Sequence, residues 1–134
     1  MKEKVKKYEF TGKTKQVTYG GRSVTLCRIR ALKDIPTHGV KKGDLGGWVE
    51  REENLSHEGS AWVGGEAWVF DKAGVSGNAL AKNIAQVFDE ARVFGNAVVS
   101  GSAWVFGNAW VFGEAKVHGV ARISEQLLAF GEVK

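Results

Sequence analysis

The feature that most constrains this chain is a period of six. Registered at Gly59, twelve consecutive hexads run to Phe130 with no insertion or deletion. Each reads Gly, a small polar or acidic residue, Ala, a variable residue, Val and a second variable residue. The third place is Ala in eleven hexads, Ala61 to Ala121, and Leu127 in the last. The fifth is Val in nine, with Ala81, Ile123 and Ala129 as exceptions. The first is Gly in eight and otherwise Asp71, Asn83, Asp89 or Glu125. A fixed short period carrying a strand-like alternation marks a solenoid.

Places three and five lie two apart, so in an extended segment they share a face, and their Ala and Val residues must point inward. Places four and six then point outward. Gly followed by Asn, Glu or Ser is corner chemistry, because Gly and Asn tolerate a positive φ. Three corners close a triangle, which gives eighteen residues per coil and four regular coils. Backward extension of the register puts Val49 and Leu55 in the third place and Arg51 and His57 in the fifth, as expected of a wettable capping coil.

An eighteen-residue coil fixes the outward columns. One face stacks Phe70, Phe88 and Phe106 at place six, with Trp68, Gln86, Trp104 and Arg122 at place four. Its neighbour stacks Ser76, Phe94, Phe112 and Phe130, with Gly74, Arg92, Trp110 and Leu128. The third face is mixed and more polar, with Trp62, Leu80, Val98 and Lys116 beside Gly64, Lys82, Ser100 and His118. Aromatic surfaces of that extent usually mark an interface. The expected interface residues are Trp68, Phe70, Phe88, Phe94, Trp104, Phe106, Trp110, Phe112 and Phe130. Side-by-side packing into a homo-oligomer is the favoured covering, ahead of an N-terminal hairpin folded back over one face and ahead of a stacked ligand.

The first fifty residues form a separate basic, β-rich capping element, and residues 51–134 form the solenoid. Residues 1–50 carry twelve Lys/Arg against five Asp/Glu, and residues 51–134 carry seven against ten. The basic part is therefore where an anionic partner would bind, through Arg28, Arg30, Lys41 and Lys42. Lys2–Lys7 reads as a solubilising arm. Tyr8–Phe10 and Gln16–Tyr19 read as strands, and Gly20-Gly21 turns the chain into a longer strand over Ser23–Leu32. In that strand Val24, Leu26 and Ile29 are expected to be buried and Arg28 and Arg30 exposed, with a bulge near Cys27 where the alternation slips. One cysteine excludes an internal disulfide. With no apolar run long enough to span a membrane, the expectation is a soluble, cytoplasmic protein.

The hexad V-x-G-x-A-x resembles the repeat of left-handed parallel β-helix proteins. The GNA-x-V run of residues 95–111, with Lys42-Gly43-Asp44-Leu45-Gly46-Gly47-Trp48-Val49-Glu50 and Glu53-Asn54-Leu55-Ser56, resembles proteins of phages, prophages and their bacterial hosts. The resemblance runs from about Tyr8 onward. It implies an all-β, left-handed, triangular β-helix and a host-cytoplasmic location; handedness comes from the resemblance alone.

Many hexapeptide-repeat proteins are acyltransferases, which resemble one another in a His and a long loop thrown out between coils. Here the register leaves no such loop, and His118 stands alone on the polar face. His38, His57 and His118 form no close pair that would anchor zinc. Gly12-Lys13-Thr14 lacks the earlier Gly and the following helix of a P-loop. No metal and no cofactor are expected, and nucleic acid is disfavoured because few basic residues accompany the aromatic columns. The expected function is non-catalytic: a phage-type accessory protein that self-assembles through its aromatic faces and binds a protein partner, inhibiting a host defence or regulatory factor. The rival readings are a protein sequestering a small anionic, nucleotide-like ligand between subunits, and an acyltransferase-like enzyme.

Overall fold

The computed structural model describes residues 6–134. Of the expected basic arm, residues 2–5 lie outside the described residues. The chain is all-β, a parallel β-solenoid of about five turns that carries an N-terminal antiparallel hairpin. The hairpin strands are β1 (Tyr8–Tyr19) and β2 (Arg22–Ala31), joined at Gly20-Gly21. The first face of the solenoid stacks β3 (Leu45–Val49), β5 (Trp68–Val69), β8 (Gln86–Val87), β11 (Trp104–Phe106) and β14 (Arg122–Ser124). The second stacks β6 (Gly74–Val75), β9 (Arg92–Val93), β12 (Trp110–Val111) and β15 (Leu127–Leu128). The third stacks β4 (Trp62–Val63), β7 (Leu80–Ala81), β10 (Val98–Val99), β13 (Lys116–Val117) and β16 (Glu132–Val133). Two 3₁₀ turns, Pro36–His38 and Glu52–Asn54, complete the N-terminal cap.

The interior is what the third and fifth places demand. Every Ala from Ala61 to Ala115 and every Val or Ala at place five from Val63 to Val117 is buried. Removing each such Val from water contributes roughly 1.5–3 kcal/mol, and each Ala less. Corners are closed by hydrogen bonds from the place-three N–H back to the place-six carbonyl, as from Ala67 to Gly64 (3.2 Å) and Ala97 to Phe94 (3.3 Å). The first corner residue takes φ between 56° and 67° throughout Gly59–Glu125, including the four non-glycines Asp71, Asn83, Asp89 and Glu125.

Three of those four exceptions have a chemical reason. Their side-chain oxygens accept hydrogen bonds from the corner one coil further on: Asp71 from Asp89 N–H (3.2 Å), Asp89 from Gly107 N–H (3.0 Å) and Asn83 from Gly101 N–H (3.0 Å). Short polar side chains offset the left-handed penalty of about 1–2 kcal/mol by satisfying a neighbour's donor.

The eighteen-residue interval holds from Trp62 to Ser124, where Trp62 pairs with Leu80, Trp68 with Gln86 and Trp104 with Arg122. Both ends depart from it. Val49 pairs with Val69 and Leu55 with Val75, an interval of twenty, so these residues occupy the fifth place and not the third. Two extra residues between Leu55 and Trp62 make the difference, and Arg51 is exposed. At the other end Val111 pairs with Leu128, an interval of seventeen, and Val117 with Val133, an interval of sixteen. The register expected to run to Phe130 thus ends at Glu125. Ala129 follows Phe112 in its column, and Phe130 turns out to solvent at 77% exposure.

The cap departs from expectation in three further ways. Strand β3 is already a rung of the first face, so the solenoid begins inside the first fifty residues. Trp62, expected to point outward, is buried because the lead-in chain crosses it at Gly46, where a Cβ would lie 2.7 Å from the indole Cζ2. Lys7, expected in a solvated arm, is fully buried.

Strand β2 carries the slip foreseen near Cys27. Its pairing with β1 is irregular between Phe10 and Thr14, and its pairing with β3 between Arg28 and Arg30. The bulge switches which face is apolar: Val24 and Leu26 pack in an outer cluster, Ile29 and Ala31 in the main core. One hairpin can thereby serve two hydrophobic layers.

Candidate functional site

The hairpin decides which outward surface is free. Val17 and Tyr19 of β1, and Val24 and Leu26 of β2, lie on the Phe70–Phe88–Phe106 column of the first face. Within that column the rings stack at 5.1 and 5.3 Å, within 9° of parallel. Tyr19 meets Phe70 and Phe88 edge-on at 5.5 and 4.8 Å. Phe70 and Phe88 are 0% and 1% exposed. The expectation that these two residues form an intermolecular interface is overturned, because the chain covers them itself. Trp68, Trp104 and Phe106 are half-buried at the edge of the same cluster.

The second face keeps its aromatic surface open. Phe94 and Phe112 stack at 5.0 Å and 5°, and Trp110 packs edge-on against Phe94 at 5.8 Å. Trp110 is 46% exposed and Leu127 72%. Beside this strip lies a cavity of 310 Å³ lined by Lys72, Glu90, Arg92, Asn108 and Trp110. A second, of 290 Å³, opens at its N-terminal end, where Gly74 and Ser76 leave two column places without a large side chain. The Arg92 guanidinium reaches over Gly74, 3.4 Å from where a Cβ would be. Phe130 takes no part in the ladder.

Of the four residues expected to receive an anion, the two arginines are already engaged. Arg28 donates to Glu66 at 3.0 Å, lies over the Trp48 ring and leaves its Nε buried without a partner. Arg30 is ion-paired with Glu9. Lys41 and Lys42 are exposed in a turn held by their backbone N–H groups, which donate to Asp44 and Asp34 at 2.9 Å each. Both arginines are therefore already neutralised by carboxylates of the same chain.

A polar network that the sequence did not suggest closes the N-terminal end. The Lys7 ammonium donates to the carbonyls of Ala61, Gly59 (3.4 Å) and Glu58 (3.5 Å), and burial lowers its pKa to about 8. The Lys7 backbone N–H donates to His57 Nδ1 at 3.0 Å, which makes Nδ1 an acceptor and assigns the proton to Nε2. His57 Nε2 then donates to Glu52 at 3.0 Å, a bond that holds the Glu52 carboxyl below its usual range. Tyr8 stacks on the imidazole at 4.1 Å and donates its hydroxyl to Leu55 O (2.7 Å) and Glu52 O (2.9 Å). Burial pushes its phenol pKa up.

Both nitrogens of His57 are thus committed to structure. His38 contacts Asn78 O at 3.0 Å, and burial lowers its pKa. His118 has an acidic neighbour that the columns did not predict, Glu132 at 2.7 Å, brought there by the shortened last coil. Among the described residues no three His, Cys, Asp or Glu side chains cluster as metal ligands. No helix there is long and apolar enough to cross a membrane.

A third feature lies along the edge of the first face. Trp48, Trp68, Gln86, Trp104 and Arg122 are in register across five rungs. Lys15 of β1 sits over Trp48 (4.3 Å) and Trp68 (5.1 Å), and Arg122 lies over Trp104 (4.3 Å). Between them is a groove of 310 Å³ walled by Trp68, Trp104 and Ile84. The Trp–Gln–Trp–Arg column was legible at eighteen-residue spacing. The approach of Lys15 was not, because it depends on where the hairpin lands.

Fold and surface together define a three-faced β-solenoid with a self-covered aromatic face and an open one. The sequence matches no family model and no curated protein.

Proposed function

We propose that this protein is a non-catalytic binding module that self-associates through its second face and holds a macromolecular partner. The observation that carries the reading is the Phe94–Phe112 ladder with Trp110, a stacked aromatic strip on a regular sheet in which the two Phe rings are half-buried and Trp110 is 46% exposed, with no other segment packed over it among the described residues. Exposed aromatic surface of this kind is stabilised by association.

The unbroken interval from Trp62 to Ser124 supports a non-catalytic role, since no loop leaves the coil to gather reactants. The lead-in segment Lys42–Glu50 and the GNA-x-V repeats support a phage or prophage accessory protein, and inhibition of a host defence or regulatory factor is the task we assign to it.

Light scattering on the eluting protein tests the assembly. The chain is 14.6 kDa, and we expect a mass of about twice that at micromolar concentration. Phe112→Arg should return it to the monomer with its circular dichroism unchanged. A monomeric mass for the unmodified protein at the highest soluble concentration would sink the reading.

A further inference from the structure

We propose that the groove between Trp68 and Trp104 binds an extended acidic segment of a partner protein, with the pattern acid, any residue, apolar residue, any residue, acid. The argument begins with the groove's chemistry. Its floor is Gln86, whose side-chain amide makes no hydrogen bond among the described residues although indoles flank it on both sides. The neighbouring Ser102 hydroxyl makes none either, and Ile84 is 57% exposed on the rim. A half-buried amide with free donor and acceptor, set among apolar walls, matches a peptide group better than it matches water.

Charge selects the kind of peptide. Lys15 closes one end and Arg122 the other, and neither has a carboxylate partner among the described residues. Arg122 spends one nitrogen on the carbonyls of Ser102, Val120 and Ala121 and keeps the rest of its guanidinium free. Glu66 is the one carboxylate on the rim. The Trp48 indole N–H (3.1 Å) and Arg28 engage it, and that bonding holds its carboxyl below the usual range.

Spacing completes the match. Lys15 spans the Trp48 and Trp68 rungs, and Arg122 belongs to the fourth rung counted from Trp68 but leans back over Trp104. At about 4.8 Å per rung the two cations are therefore about 10–14 Å apart. In an extended peptide, residues i and i+4 lie on one side about 13 Å apart, with i+2 midway between them on the same side. Carboxylates at i and i+4 reach the two cations. An apolar residue at i+2 then faces the indoles and Ile84, and the backbone meets Gln86 and Ser102.

The groove and the Phe94 ladder are on different faces, so failure of the assembly reading leaves this proposal standing. The test is fluorescence anisotropy in low salt with a labelled Gly-Ser-Glu-Ser-Leu-Ser-Glu-Ser-Gly peptide. We expect saturable binding. Lys15→Gln or Arg122→Gln should each weaken it about two- to five-fold, as a surface ion pair would. Gln86→Leu should also weaken it without lowering the melting temperature, which distinguishes a binding role from a structural one. The proposal is overturned if the peptide does not bind, or if a control with adjacent glutamates binds equally well. A cooperative loss of stability in Gln86→Leu overturns it too, as does displacement of the peptide by oligothymidylate, which would assign the groove to nucleic acid.

Discussion

Phe88 and Phe112 occupy the same place of the repeat, one on each of two adjacent faces, and replacing each by Ala isolates what the hairpin contributes. Phe88 is 1% exposed, stacks on Phe70 and Phe106 and receives Tyr19 and Trp104 edge-on. Phe112 is half-buried and stacks on Phe94 alone. A fully buried Phe cut to Ala costs about 3–5 kcal/mol. For Phe112 the cost is one stacking contact of about 0.5–1.5 kcal/mol plus the transfer of a partly solvated ring, together about 1–2 kcal/mol. Phe88→Ala should therefore exceed Phe112→Ala by about 1–4 kcal/mol. Urea denaturation followed by circular dichroism, at a concentration where the protein is monomeric, measures the difference. Equal losses for the two variants would mean that the hairpin does not seal the first face, and the assignment of one covered and one open face would be wrong.

Three further outcomes follow from the corners and the cap. Gly95→Ala places a Cβ 2.6 Å from Gly113 N on a backbone with φ +65°, and should cost at least about 2 kcal/mol in the same denaturation assay. Asn83→Gly relieves a left-handed residue but removes the acceptor of Gly101 N–H, so its midpoint should stay within about 0.5 kcal/mol of the parent. Lys7 supplies a pH signature. Its pKa falls from 10.5 to about 8 on folding, so between those values the unfolded chain holds a proton that the folded one has lost, and stability should rise with pH. The raised thiol pKa of Cys27 acts in the opposite sense, and so does Tyr8 once pH exceeds the usual phenol value. The comparison is therefore Lys7→Met against parent from pH 8 to 9.5: the parent should gain relative to the variant, and parallel profiles would refute the assignment.

How much of this was legible depended on the range over which each residue's surroundings are set. The inward Ala and Val, the corners at Asp71 or Asn83 and the stacked Phe columns follow from a period of six closing at eighteen, and all of that is local. The covering of Phe70 and Phe88 was not legible, since it depends on the path of a hairpin some fifty residues away. The end registers were masked by composition. Val49 and Leu55 are apolar and fit an inward place in either frame, and with Leu127 beside Leu128 the template could choose the wrong one. Lys7 hid in a charge run because its burial requires three carbonyls from the cap, Glu58, Gly59 and Ala61, that no pattern near it announces. Of the candidate site, the residues of the second face were visible, and the approach of Lys15 to Trp68 was not.

The regular interval from Trp62 to Ser124 gives each position two addresses. The interior depends on the position modulo six, because any hexad can follow any other and keep its Ala and Val inside. The exterior depends on the position modulo eighteen, because only that remainder states which face a side chain will occupy. Loss of a single hexad would therefore leave the core intact and carry every later outward residue one face round the prism. Trp104 and Phe106 would then stand where Val98 and Ser100 stood. Selection on such a chain must guard its length as closely as its composition.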